Sequence, residues 1–189
     1  MNFKALNNNN FVFDSYNVVP YREKDKLKIK EWRNQQMDVL RQKYPLTDND
    51  QINYYNNYIL PSFSEVEPCI MLFSFLENDA CIGYGGLTNI DWESKRIELS
   101  FLVDPQRIES KGLYEKDFTA FIKLMKIVVF DELKFNRIFT ETYDARPLHI
   151  SILEKNGFKL EGKLKEHVFI NNIFIDSLIH GFLKKDYYV

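Results

Sequence analysis

RIELSFLVDPQRIESKGLYEKDFTAFIKLMKIVVFDEL, residues Arg96 to Leu133, reads as a strand, a turn and a helix. Ile97, Leu99, Phe101 and Val103 alternate with Glu98, Ser100 and Leu102, the period-two signal of a strand. Asp104-Pro105 ends it. Phe118, Phe121, Ile122, Met125, Val128 and Val129 then recur at helical spacing on one face. Between the two lies a turn with Lys111 and Gly112. Free N–H groups and the positive end of the dipole converge at a helix start, so an anionic cofactor group fits there.

Upstream, Asn7 to Asn10 reads as the end of a polar lead-in over residues 1–10, and Phe11 to Tyr21 as one strand. Lys26 to Leu40 follows as a helix whose lysines face solvent. Thr47 to Asp50 fits a capping box for a second helix that ends at Pro61. Cys69 to Leu76 and Ala80 to Ile90 form a hairpin about Glu77 to Asp79. Its second arm carries Gly83, Gly85 and Gly86, which suits either a ligand close to the backbone or a bend in the sheet. Cys69 and Cys81 fall out of register for a disulfide and are expected as buried thiols. Downstream come a strand over Lys134 to Tyr143, a helix from Pro147 to Lys155 stopped by Gly157, and strands at Val168 to Ile170 and Phe174 to Leu183. The fold class is therefore mixed α/β (α+β), one domain over 11–189, with a central, mostly antiparallel sheet flanked by helices.

With 189 residues, 45% of them hydrophobic, the chain buries roughly two-thirds of the surface it exposes unfolded. A net charge of −2 argues against a broad nucleic-acid footprint, and no apolar run is long enough for a membrane span; a cytoplasmic protein is expected. The three histidines lack ligand spacing with one another or with the cysteines, so no metal is expected.

Four segments together resemble the GNAT superfamily of acyl-CoA-dependent N-acetyltransferases: KEWRNQQMDVL from Lys30, CIGYGGLTNIDWESKRIELSFLVDP from Cys81, ILEKNGFKLEG from Ile152 and NNIFIDSLIHGFL from Asn171. The match is nearest to the branch with ribosomal-protein alanine acetyltransferases and acetyltransferases of nucleotide-linked amino sugars. The resemblance implies acetyl-CoA as acyl donor, threaded between two splayed central strands. Backbone groups of Phe101, Leu102 and Val103 would pair with its pantetheine arm. Its pyrophosphate would lie on the turn with Lys111, Gly112 and Leu113, with Arg107 nearby. Arg146 aligns with a CoA-contacting asparagine. The turn departs from the family pattern at Glu109 and Tyr114, Leu153 replaces a frequent tyrosine, and His149 stands where the nearest branch has serine.

Acyl transfer to an amine needs a base, an oxyanion donor and an acid for the thiolate. Glu98 is the candidate base, and His149 and Tyr143 are candidate acids. Arg33, Asn34 and Arg41 are candidates for binding phosphates of a nucleotide-linked amino sugar. The expected partner is thus a small-molecule amine, with no nucleic acid or membrane and with a homodimer left open. A protein N-terminal acetyltransferase and an acyl-CoA-binding module without activity are the alternatives.

Overall fold

The computed structural model describes residues 1–188, and its eight strands form one sheet in the order β1-β2-β3-β4-β5-β6-β8-β7. The strand expected over Phe11 to Tyr21 is in fact a hairpin, β1 (Phe11–Phe13) and β2 (Tyr16–Pro20), turning at Asp14 with φ 53°. Aspartate tolerates this left-handed conformation, so no glycine marks the turn. The first ten residues are not a free lead-in. Phe3 is 1% exposed, Leu6 is also buried, and the Asn9 side chain accepts the Phe3 N–H at 2.7 Å.

Helix α1 (Lys26–Asn34) buries Ile29 and Trp32 and stops short of the expected Leu40. The Gln36 side chain ties the departing chain to Trp32 O at 3.2 Å and to Val103 O at 2.9 Å. Helix α2 (Asp48–Tyr54) opens on the capping box: Thr47 Oγ1 accepts the Asp50 N–H while Asp50 Oδ2 accepts the Thr47 N–H. A wider turn over Tyr55–Ile59 carries it into α3 (Leu60–Ser62), so the helix runs through Pro61 and ends at Ser62.

Strands β3 (Met71–Glu77), β4 (Ala80–Asp91) and β5 (Arg96–Val103) form an antiparallel meander. The glycines of β4 are required by the sheet itself. A Cβ at Gly85 would lie 2.2 Å from Ser100 O, and one at Gly86, whose φ is +145°, 2.1 Å from Met71 O. Cys81 is a buried thiol, but Cys69, just before β3, is exposed, contrary to expectation. A short α4 (Pro105–Ile108) leads to α5 (Lys111–Lys126). Phe118, Phe121, Ile122 and Met125 are fully buried on the face of α5 toward the sheet, each contributing about 1.5–3 kcal/mol.

Strand β6 (Arg137–Tyr143) is followed by α6 (Pro147–Lys155), which ends at Gly157 with φ +86°. Strands β7 (Lys159–Ile170) and β8 (Ile173–Leu183) close the sheet, so β7 begins nine residues before the expected Val168. Its side chains are almost all exposed, leaving no apolar alternation to reveal it.

Candidate active site

The sheet opens between its fifth and sixth strands. Among the described residues, strands β5 and β6 are its only parallel neighbours, and they pair only over Arg96–Glu98 and Arg137–Phe139. Beyond that point β5 continues to Val103 and β6 to Tyr143 without partners on the shared edge. A cavity of about 390 Å³ fills the fork, lined by Glu98, Ser100, Phe101, Glu141, Tyr143 and His149 among others. A second cavity of about 300 Å³ lies outside it, between the starts of α5 and α6.

Alternation decides which backbone groups face the fork. Val103 O accepts Gln36, so Val103 and, two residues back, Phe101 point their N–H and C=O groups to the open edge. Leu102 is a correction: its carbonyl faces β4, 2.5 Å from where a Cβ of Gly83 would stand, so it has no backbone group for a pantetheine arm.

Glu98 stands at the base of the fork, 7% exposed. Its Oε1 accepts Arg41 Nη2 at 2.7 Å, and its Oε2 accepts Asn89 Nδ2 at 2.5 Å and Arg41 Nη1 at 3.3 Å. Arg41 Nη2 also donates to Glu141 Oε2 at 2.7 Å. Burial works against the Arg41 charge, but these two carboxylates outweigh it and raise its pKa. Tyr143 lines the same cavity, its hydroxyl pushed above its ordinary pKa by burial and so protonated at neutral pH.

His149 is not the charged acid that its reference pKa suggested. Burial, then the charges of Arg146 and His180, hold its pKa well below the usual value. Its ring stacks on Phe118 at 4.2 Å, and its Nδ1 meets the Tyr114 hydroxyl at 2.7 Å. Arg146 donates to the same Tyr114 oxygen at 3.2 Å, which leaves the hydroxyl proton for His149. Tyr114, Arg146 and His149 thus form a bridge from α5 to α6 between the two cavities.

Two more expectations are corrected. Arg107 is no phosphate ligand: it donates to Asp117 at 2.6 and 2.8 Å and to Glu77 at 2.9 Å, tying α4 to α5 and β3. Asn34 is no substrate ligand either; its carboxamide is consumed by Leu46 N–H, Leu46 O and Gln42, fixing the loop after α1. Arg33 borders the cavity but is bound to the Tyr84 hydroxyl and Gln42. Lys111 is exposed at the start of α5, where Ser110 Oγ caps the Leu113 N–H, and a Cβ at Gly112 would meet nothing.

An acyl-CoA fits part of this arrangement. The open strand edge suits a pantetheine arm, and the α5 start with Lys111 suits a phosphate. The bridge of Tyr114 and His149 stands between those places. Among the described residues no group of His, Cys, Asp or Glu is arranged to hold a metal, and no helix is long and apolar enough to cross a membrane.

A sheet forked at its parallel pair, with a carboxylate at the fork and a helix start beside it, defines an acyltransferase fold of the GNAT type. The family model for the acetyltransferase (GNAT) domain matches residues 18–179, and the chain belongs to this family. It is 23% identical over 112 residues to the putative ribosomal N-acetyltransferase YdaF of Bacillus subtilis, a match spanning 59% of this chain and 58% of that relative. A spermidine N-acetyltransferase from Vibrio cholerae, in complex with CoA and spermine, superposes with a TM-score of 0.80 at 18% identity, over 94% of this chain and 100% of that one. A dodecameric structure of spermidine N-acetyltransferase from Vibrio cholerae superposes with a TM-score of 0.76 at 20% identity, over 93% of this chain and 97% of that one.

Proposed function

We propose that this chain is an N-acetyltransferase that moves an acetyl group from acetyl-CoA to a primary amine of a small molecule by direct attack. The observation that carries the reading is the fork between β5 and β6, with Glu98 at its base in a cavity of about 390 Å³. Glu98 takes a proton from the amine, directly or through water, so that the nitrogen lone pair is free. The carbon–nitrogen bond forms as the carbon–sulfur bond breaks, and Tyr143 gives a proton to the departing sulfur. The Val103 N–H, aimed at the open edge, is placed to meet the developing oxyanion. Acetyl-CoA supplies the acetyl group as an activated thioester, its phosphates held by the α5 start and Lys111.

The acceptor is a cationic amine such as a polyamine and not a nucleotide-linked amino sugar. Asn34 and Arg33 are engaged within the protein, and Arg41, the third phosphate candidate, is held by Glu98 and Glu141, a pair of carboxylates whose charge suits a cation. The relatives named for spermidine and spermine accord with this choice. We also propose that the chain forms a homo-oligomer.

Thiol release from acetyl-CoA across a panel of amines that includes spermidine tests the activity. Glu98→Gln should lower kcat by about 10²–10⁴-fold while CoA affinity, measured by calorimetry, stays unchanged. Absence of thiol release with every amine would sink the transferase reading. Undiminished turnover in the variant would remove Glu98 as the base.

A further inference from the structure

One cationic nitrogen already sits where an acceptor amine would react. Arg41 Nη2 lies 2.7 Å from Glu98 Oε1 and 2.7 Å from Glu141 Oε2, a single nitrogen shared by two carboxylates. The carboxylates are built in: they stand on β5 and β6 where the strands part, with relative side-chain exposures of 9% and 15%, and Asn89 orients Glu98. The arginine belongs to the irregular stretch after α1, and its side chain is 55% exposed.

We infer that the position of Arg41 Nη2 is the seat of the acceptor ammonium, and that Arg41 is an internal stand-in which each acceptor displaces. The inference deepens the transferase reading and rests on it. An ammonium offers three N–H donors from one point, enough for both carboxylates with one to spare, while a guanidinium must present a planar fork. Exchange leaves the charge of the seat unchanged, since one cation replaces another. Once seated, the ammonium gives one proton to Glu98. Its lone pair forms the bond to the acetyl carbon as the carbon–sulfur bond breaks. A second amine proton replaces the one given to sulfur, and the proton on Glu98 leaves to solvent. Neutral or anionic acceptors lack the charge needed to displace Arg41, so Glu141 and Arg41 together set specificity for cationic amines.

The test is Arg41→Ala, a substitution on an exposed side chain, with spermidine as probe. Calorimetry without any acyl donor should show spermidine bound about tenfold more tightly by the variant than by the parent, because the internal competitor is gone. Guanidinium ion at millimolar concentration should compete with spermidine in the variant and far less in the parent. Glu141→Gln in either background should weaken spermidine binding. Weaker spermidine binding in Arg41→Ala, or a loss confined to phosphate-bearing acceptors, would overturn the stand-in and make Arg41 a ligand. The two readings fail separately. Tighter binding in the variant without thiol release keeps the seat and removes the transferase, whereas turnover by the parent with weaker binding in the variant does the reverse.

Discussion

At the scale of residues, burial decides what His149 does, and burial by other elements is what a sequence shows least. The spacing of β5 placed Glu98 on the face of Ser100, and the fold brings Arg41 and Asn89 to its carboxylate. The sequence does not show how Arg107 and Asn34 are engaged, because Asp117, Glu77 and Leu46, which bind them, reach them only through the fold. His149 is neutral in the folded chain because α5 covers it. Its folded pKa is depressed below 6.5, so the unfolded chain binds the extra proton first as pH falls. Its contribution to stability is therefore complete well above pH 6.5 and declines as pH drops toward the folded pKa. Urea unfolding should show a loss of roughly 1 kcal/mol between pH 6.5 and 5.5 from this group. His149→Asn should flatten the profile in that window. An equal slope in parent and variant would mean that His149 titrates normally.

Elements with a clear period were legible: the β3–β4–β5 meander, α5 and α6 lie close to where alternation, helical spacing and Gly157 placed them. The β1–β2 turn was missed because it uses Asp14 and Ser15 without glycine, and most of β7 because its residues are polar on both faces. Most consequential is the bridge between α5 and α6, since Tyr114 and His149 are 35 residues apart and share no motif. The bridge stands between the two cavities that an acyl-CoA would have to span, so its opening should be part of cofactor binding. Removing the hydroxyl in Tyr114→Phe keeps the ring packed on Phe118 and deletes the bonds to His149 and Arg146. A hydrogen bond of this kind is worth about 0.5–1.5 kcal/mol net, so CoA should bind the variant about two- to tenfold more tightly by calorimetry. Arg146, released from Tyr114, adds to the attraction for phosphate. Unchanged or weaker CoA affinity would show that the bridge forms a wall of the bound site and does not close it.

At the scale of the whole molecule, the open edge of the sheet is β7. This strand ends the sheet, so one row of its backbone N–H and C=O groups has no neighbouring strand. Near its turn with β8, Phe169 and Phe174 pair at 4.8 Å while remaining 60% and 64% exposed, with Ile173 at 59%. Charged side chains along β7, such as Lys159, Lys163 and Lys165, oppose casual pairing of this edge, yet the apolar end carries no such guard. Burial of this end by a second copy would offset its exposure and is the basis for expecting a homo-oligomer. The end also adjoins the acceptor side of the fork: His167 Nε2 lies 3.5 Å from Glu141 Oε1. Assembly would then hold the β7–β8 hairpin over the acceptor seat. Phe169→Asp combined with Phe174→Asp should leave the thermal transition nearly unchanged, because neither ring belongs to the core. Light scattering should show the parent as an oligomer that dissociates on dilution and the variant as a monomer. If the parent is a monomer at every concentration, or if the double variant still assembles, this edge is not the interface.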